Sequence, residues 1–173
     1  FKGVEVETPQ VPGTDDQIDV EFAVEEQPSG AISGTLAYSQ GYGLILGANY
    51  QQSNLQGSGN SLSVGLSYSE YQQSVNFNYF DPYFTLDGIS RGYNVFFRRL
   101  DYDARNIARY STDSAGGGVT FGFPIGETQR INFGLNVEHT EIREGFAAAQ
   151  EISEFIERNG PDALNFKANL SWI

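Results

Sequence analysis

The sequence of 173 residues has no cysteine, no methionine, a single histidine and no long apolar run. Without cysteine, the chain has no disulfide framework, no thiolate zinc site and no cysteine nucleophile. Its best apolar stretch, residues 43–48, is far shorter than the roughly 20 residues that a membrane-spanning helix needs. Basic residues are few as well, ten against 22 acidic residues, and the net charge of −12 argues against a nucleic-acid partner.

Glycine and aromatic residues are abundant instead, with 20 Gly, 13 Phe, 10 Tyr and one Trp, while the mean hydropathy is only −0.36. This composition is too aromatic for a disordered chain. The sequence opens on Phe1-Lys2-Gly3, without the basic and apolar regions of a signal peptide. We therefore expect a piece of a longer protein. An outer-membrane β-barrel remains open, because such barrels escape a hydropathy scan.

Residues 1–26 contain two short alternating segments, separated by Pro9, Pro12 and Gly13. Alternation with period 2 predicts a β-hairpin that has one polar and one apolar face. The break at residues 27–30 predicts a boundary after this hairpin. Its apolar positions are Val4, Val6, Ile18, Val20, Phe22 and Val24.

From Ala31 onward, apolar and polar residues alternate in eight segments of about ten residues each, although Phe96 interrupts the fifth. The positions opposite the apolar ones are Asn, Ser, Thr, Gln and Gly, with few charges. A soluble sandwich would turn Lys and Glu to water, so this pattern predicts an all-β, antiparallel transmembrane barrel with a polar lumen. The apolar sets are Ile32, Leu36, Tyr38; Leu44, Leu46, Ala48, Tyr50; Leu62, Val64, Leu66, Tyr68; Val75, Phe77, Tyr79; Tyr93, Val95, Phe97; Val119, Phe121, Phe123; Ile131, Phe133, Leu135, Val137; and Leu164, Phe166, Ala168, Leu170, Trp172.

The connectors between the segments agree with such a barrel. Counted from the side of residues 1–26, the near-side connectors are 54–60, 81–90 and 124–129, and the far-side connectors are 39–43, 70–73, 103–113 and 143–162. The two longest fall on the far side, as in outer-membrane barrels with short periplasmic turns. Aromatic residues near the segment ends predict two interfacial girdles. These are Tyr50, Tyr79, Phe80, Phe123 and Trp172 on the near side, and Tyr38, Tyr42, Tyr68 and Tyr71 on the far side.

Residues 146–158 predict a short helix in the last far-side connector. The residues Ala148, Ile152, Phe155 and Ile156 form one apolar stripe, and Gly160-Pro161 ends the helix. We interpret it as a loop helix over the barrel rim with no function of its own.

Catalytic motifs are weak in this sequence. The single histidine, His139, has no Gly-x-Ser-x-Gly segment to pair with and is interpreted as a rim residue. The glycine-rich segments 57–60 and 116–118 are not followed by Gly-Lys-Ser/Thr, which argues against phosphate binding. One group of charged residues predicts an ion-paired rim, with metal ligation as the alternative. It comprises Arg98, Arg99, Asp101, Asp103 and Arg105.

The first segment of the barrel, residues 29–39, is poor in bulky β-forming residues. Weak side-chain pairing at a seam makes such a strand a candidate for opening and for strand addition by another chain. Equally, Gly30 and Gly34 can serve only to let the barrel curve. The residues alone support both interpretations.

Several segments carry a resemblance to a known family. Residues 10–20 (Gln-Val-Pro-Gly-Thr-Asp-Asp-Gln-Ile-Asp-Val), then Val24-Glu25-Glu26 and Gly30, resemble the end of a last POTRA module that enters a barrel. Residues 54–59, 81–90 and 122–125 resemble near-side turns of the same proteins. The most specific part is Asp-Pro-Tyr-Phe followed by Asp-Gly-Ile-Ser. Over essentially its whole length, the chain resembles the POTRA–barrel insertases, which assemble outer-membrane proteins.

The resemblance implies a POTRA hairpin in residues 1–27 and, in residues 28–173, the first eight strands of a sixteen-stranded barrel. It implies a bacterial outer-membrane location, with the N-terminal segment in the periplasm. The activity implied is insertion of β-barrel proteins, without enzymatic catalysis, nucleotide or cofactor. The partners implied are unfolded β-barrel clients, lipoprotein subunits and outer-membrane lipid, and no nucleic acid.

The resemblance also implies a lateral gate between the first and last barrel strands, where the first strand pairs with the last strand of a client. By position, the pairing residues are Gly30, Ala31, Ile32, Ser33, Gly34, Thr35, Leu36, Ala37, Tyr38 and Ser39. The alternative is a polypeptide secretion pore of the related two-partner type, in which this seam stays shut and the polar lumen conducts.

Overall fold

The computed structural model describes residues 3–13, 17–25, 28–40, 42–105, 108–145 and 150–173. Within these residues the chain forms ten β-strands and one α-helix, α1, at Gln150–Asn159. No helix in these ranges is long and apolar enough to cross a membrane. The strands are β1 (Gly3–Glu7), β2 (Glu21–Glu25), β3 (Gly30–Ser39), β4 (Gly43–Gln52), β5 (Ser61–Tyr68), β6 (Gln72–Asp81), β7 (Ser90–Asp101), β8 (Tyr110–Pro124), β9 (Arg130–Glu144) and β10 (Asp162–Trp172).

The strands form two antiparallel sheets. β1 pairs with β2 in the predicted hairpin, and its register sets Val4 opposite Val24 and Val6 opposite Phe22, on one face. β3 to β10 form one eight-stranded sheet in which each strand pairs with the next in chain order, which confirms the eight predicted segments. In the described part of the chain β3 and β10 are the two edges of this sheet. We call the end at Gly30 the near end and the end at Ser39 the far end.

The large sheet has an apolar face, which carries the apolar sets of the sequence pattern, and an opposite polar face. Among the described residues, no apolar side chain is buried. Ile32 and Trp172, for example, are 82% and 71% exposed. A soluble sheet would cover such a face, because burial of apolar surface contributes about 25 cal/mol per Å². The apolar face therefore requires an apolar environment outside the sheet.

On the polar face, small residues alternate with side chains that lie over them. A Cβ atom added to Gly65 would lie 2.5 Å from Oδ1 of Asn76 and 2.8 Å from Oδ1 of Asn49. Phe96 lies on this face over Gly116, where an added Cβ would be 2.9 Å from the Cζ of its ring. One row crosses all eight strands in register: Ser33, Asn49, Gly65, Asn76, Phe96, Gly116, Glu138 and Asn165.

Two expectations about connectors need correction. The alternation placed a strand around residues 119–123 and a connector at 103–113, but β8 already begins at Tyr110. The expectation that the two longest connectors both lie at the far end is wrong, since 102–109 is no longer than 53–60 and 82–89. The longest connector, 145–161, does lie there and contains α1. Residues 146–149 of the predicted helix, including Ala148, lie outside the described residues.

Aromatic rings meet at both ends of the sheet. At the far end, Tyr71 lies edge-on to Tyr42 and to Tyr102, with 5.8 Å between ring centroids in each pair. Tyr102 also contacts Tyr110 at 4.7 Å. At the near end, Tyr79 and Tyr93 stack at 6.4 Å. Because each such ring pair contributes about 0.5–1.5 kcal/mol beyond its buried area, these rows fasten strand ends that have no core beneath them.

Candidate strand-pairing site

β3 forms one edge of the sheet, and it contains all ten residues that the resemblance assigned to strand pairing. Nine of the ten are exposed, on the polar as well as on the apolar face. Its partner on one side is β4, with Gly30 opposite Gln52 and Ser39 opposite Gly43. Within the described residues its other side has no partner strand. The structure therefore presents β3 as an edge strand, the kind of element to which another strand can add.

The backbone groups on the free side of β3 follow from one hydrogen bond at its near end. The amide of Ser53 donates to the carbonyl of Ser29 at 2.6 Å, so this pair belongs to the hydrogen-bonded class. Such pairs alternate along antiparallel strands, so the odd-numbered residues of β3 bond to β4. The N–H and C=O groups of the even-numbered residues then point to the free side. They belong to Gly30, Ile32, Gly34, Leu36 and Tyr38.

At its near end, β3 is also held by side chains. Nε2 of Gln52 donates to Oγ of Ser29 at 2.8 Å, and the hydroxyl of Tyr50 donates to Oε1 of Gln52 at 3.0 Å. A Cβ on Gly30 would come within 2.4 Å of the same Oε1. At Gly34 the nearest atom to an added Cβ is the carbonyl oxygen of Gly47, at 3.9 Å. Glycine at position 30 therefore leaves room for the amide group of Gln52, and position 34 has room for a methyl group.

A charged cluster joins β7, β8 and β9 at the far end, on the apolar face above its aliphatic residues. Asp113 is only 6% exposed and accepts hydrogen bonds from Nε and Nη2 of Arg99, both at 2.6 Å. Nη2 of Arg143 lies 3.2 Å from Asp113 and 2.9 Å from Glu141. Sequence reasoning missed Asp113 as a partner because it lay in a predicted loop. The register of β7 with β8 is the signal that places it opposite Arg99.

The ion pairs at the far end thus involve other partners than the sequence predicted. Asp101 accepts hydrogen bonds from the backbone amides of Asp103 and Ala104, at 3.0 and 3.2 Å, and so caps a turn. Arg99 pairs with Asp113 of the next strand. The described residues contain no group of three or more His, Asp or Glu arranged to hold a metal ion.

At the near end of the apolar face, an arginine lies among aromatic rings. The guanidinium carbon of Arg91 is 3.8 Å from the ring centre of Phe84 and 5.2 Å from that of Tyr93. Asp81, opposite Arg91 in the register, has a carboxylate oxygen 3.7 Å from its Nη2. A cation stacked on aromatic rings suits a membrane interface, where the ring edges meet water. This contact also ties the Asp-Pro-Tyr-Phe turn to β7.

His139 lies in β9 with its Nε2 atom 3.6 Å from a carboxylate oxygen of Asp162. Both side chains are more than half exposed, at 52% and 58%. The pair joins the far ends of β9 and β10, which agrees with a rim histidine. On the polar face of the same strands, Lys167 pairs with Glu138.

An antiparallel sheet with an exposed apolar face, a polar face of amides and glycines, and aromatic rows at both ends is part of a β-barrel of the outer-membrane class. The particular family follows from comparison with known proteins. The Omp85 superfamily domain matches residues 54–173, and the chain belongs to this superfamily.

Relatives with similar sequences and structures carry the name BamA. The chain is 32% identical over 162 residues to the outer membrane protein assembly factor BamA of Neisseria meningitidis serogroup B. It is 30% identical over 158 residues to the protein of that name from Buchnera aphidicola. These alignments cover 92% and 87% of this chain but 20% and 26% of the relatives.

A crystal structure of BamA from Haemophilus ducreyi lacking POTRA domains 1–3 has the same fold, with a TM-score of 0.66 and 29% sequence identity. The superposition covers 99% of this chain and 34% of that structure. The chain therefore spans about a fifth to a quarter of the length of these curated relatives and a third of this solved structure. The family to which the residues point in the sequence analysis is thereby confirmed.

Proposed function

We propose that this chain is part of an assembly factor that inserts β-barrel proteins into the bacterial outer membrane, and that β3 is the strand on which a client strand forms. The observation that carries the proposal is that β3 forms an edge of the sheet among the described residues, in a sheet whose apolar face needs lipid. Membership of the Omp85 superfamily and the names of the BamA relatives support it.

The mechanism rests on the cost of unpaired backbone in lipid. Every N–H and C=O group in the hydrocarbon region needs a partner, and an unsatisfied group costs several kcal/mol (about 2–7). An unfolded client strand that reaches the edge of β3 finds the donors and acceptors of Ile32, Gly34, Leu36 and Tyr38. These groups satisfy one side of the client strand without catalysis or cofactor. The small side chains on the polar face of β3, such as Ala31 and Ser33, leave room for this approach.

The hairpin of β1 and β2 has a separate part in the proposal. Its apolar face, with Val4, Val6, Phe22 and Val24, is exposed in the described residues. Such a face suits the end of a POTRA module, whose remaining elements would cover it in the periplasm. Residues 28–173 would then be the first half of the barrel. Lipoprotein subunits and outer-membrane lipid are the further partners proposed.

A cross-linking experiment tests the pairing role of β3. A photo-reactive amino acid is placed at Ser33 or Thr35 of the full-length protein, and a matched control carries it at Asn49 of β4, which lies in the same row as Ser33. The client is supplied complete and unfolded. We expect adducts with the last strand of the client from both β3 positions and few from Asn49, because β4 is paired on both sides.

The same experiment separates the proposal from the secretion pore. A pore conducts its substrate along the polar lumen, so Asn49 and Ser33 would then yield adducts equally, and these would be with the secreted polypeptide. Adducts with soluble proteins alone would likewise contradict the proposal.

A further inference from the structure

Gln52 of β4 makes a contact that strand pairing at the free edge does not itself use. Its amide group links two hydroxyl groups, since Nε2 donates to Ser29 at 2.8 Å and Oε1 accepts from Tyr50 at 3.0 Å. Ser29 directly precedes β3, and its carbonyl accepts the amide of Ser53 at 2.6 Å. The segment that enters β3 is thus bound to the end of β4 by side chain and by backbone.

Gly30 lies beneath this link. An added Cβ would lie 2.4 Å from Oε1 and 3.4 Å from Cδ of Gln52, so any side chain at position 30 displaces the amide group. Gly34 lies four residues further along β3 on the same face. No atom there is closer than 3.9 Å to an added Cβ. A side chain at Gly30 therefore disturbs the hydrogen bonds of Gln52, whereas a methyl group at Gly34 does not.

The hydrogen bonds of Gln52 matter because few other contacts fix the register of β3 against β4 at the near end. Glycine-rich strands specify their register weakly, and β3 has Gly30 and Gly34 in its first half. The turn after Ser39 sets the register at the far end, where the amide of Tyr42 donates to the carbonyl of Ser39 at 3.2 Å. The near end lies about 30 Å away along the strand. Strand ends with few side-chain contacts open locally at low free-energy cost.

We infer that Gln52 is a positioning residue that fastens the near end of β3 to β4. It keeps the edge groups of Ile32 and Gly34 in place for an incoming strand. The effect on client assembly rests on the function proposed above. The attachment of β3 to β4 by Gln52 does not depend on that function.

Amide hydrogen exchange of the full-length protein in lipid nanodiscs tests the fastening. The amides of Ala31 and Ser33 bond to β4 near the link, and that of Ala37 bonds to β4 near the turn. With Gln52→Ala, we expect exchange at the two near positions to accelerate about threefold to tenfold, the effect of losing one or two hydrogen bonds. Exchange at Ala37 should stay unchanged.

Two matched controls separate the link from a general loosening of the sheet. Gln51→Ala removes the same side chain one position earlier, on the polar face of β4, and should leave exchange in β3 unchanged. Gly30→Ala should reproduce the effect of Gln52→Ala, whereas Gly34→Ala should not. Equal acceleration in Gln52→Ala and Gln51→Ala, or acceleration that includes Ala37, overturns the inference.

A second measurement keeps the inference separate from the proposed function. In the Gln52→Ala variant, client adducts from a photo-reactive group at Ser33 should fall about threefold relative to those from Ala37, because the link holds the near end of the pairing edge. An unchanged ratio would overturn this consequence for client assembly. Accelerated exchange in a protein that forms no client adducts in any variant would support the fastening and overturn the pairing role of β3.

Discussion

At the scale of residues, glycines on the polar face leave space that the side chains of neighbouring residues fill. Gly118 illustrates this arrangement, since an added Cβ would lie 2.0 Å from Oδ1 of Asn136, the residue opposite it on β9. The sequence predicts that small and amide residues share one face, because parity alone decides that. It does not predict which amide covers which glycine, since that depends on the register between strands.

Gly116 and Gly92, both on the polar face, allow a matched test of this packing. At Gly116 a Cβ would lie 2.5 Å from the carbonyl oxygen of Val137 and 2.9 Å from the ring of Phe96. We expect Gly116→Ala to lower the free energy of unfolding by about 1–3 kcal/mol, because the backbone carbonyl cannot move away cheaply. Urea-induced unfolding in lipid vesicles measures this value.

Gly92→Ala is the control for that measurement. The nearest atom to a Cβ there is Cδ2 of Phe80, at 3.6 Å, an ordinary van der Waals contact. This substitution should change the free energy of unfolding by less than about 0.5 kcal/mol. Equal losses at the two positions would show that close packing on the polar face is not what requires glycine at Gly116.

At the scale of elements, alternation predicts the strands where apolar residues recur and fails where they do not. β8 is the clearest case, because residues 111–114 are polar and residues 116–118 are all glycine. Nothing in that stretch marks a strand, yet β7 and β9 pair with it over its whole length. Hydrogen bonding to β7 and β9 overrides the weak strand preference of these residues. For the same reason the sequence did not reveal Asp113 as the partner of an ion pair.

The cluster around Asp113 should fasten the far ends of β7, β8 and β9. Asp113→Ala removes a carboxylate that accepts two hydrogen bonds from Arg99 and lies beside Arg143. We expect a loss of about 1–2 kcal/mol in the free energy of unfolding. The arginines are 38% and 51% exposed, so solvent screening keeps the loss below that of a fully buried pair.

Glu141→Ala provides the comparison within this cluster. Glu141 contacts Arg143 at 2.9 Å and is itself 38% exposed, so its removal should cost less than about 0.5 kcal/mol. The two variants are compared by urea-induced unfolding in vesicles, at low and at high salt. If Glu141→Ala were the more destabilising of the two, Asp113 would not be the centre of the cluster.

At the scale of the whole molecule, the two faces of the sheet decide where the protein can exist. The sequence predicts this division from the character of the polar positions, which are amides, hydroxyls and glycines where a soluble sheet would carry Lys and Glu. The structure adds that no described apolar residue is buried, so the apolar face has no partner within the described chain. The position of β3 at an edge of the sheet, seen among the described residues, is not predictable from alternation, because it depends on which strand lacks a neighbour.

Adjacent residues in β7 test the assignment of the faces directly. Val95 lies in the middle of the apolar face, between Tyr93 and Phe97, and is 58% exposed, whereas Asn94 points to the polar face. Val95→Lys should lower the free energy of unfolding in lipid vesicles by about 2–4 kcal/mol, the cost of a lysine at the bilayer midplane. Asn94→Lys adds the same charge next to it and should cost less than about 1 kcal/mol, because a water-filled lumen hydrates the ammonium group. The reverse order would place lipid against the amides and water against the aliphatic residues, and the barrel assignment would fail with it.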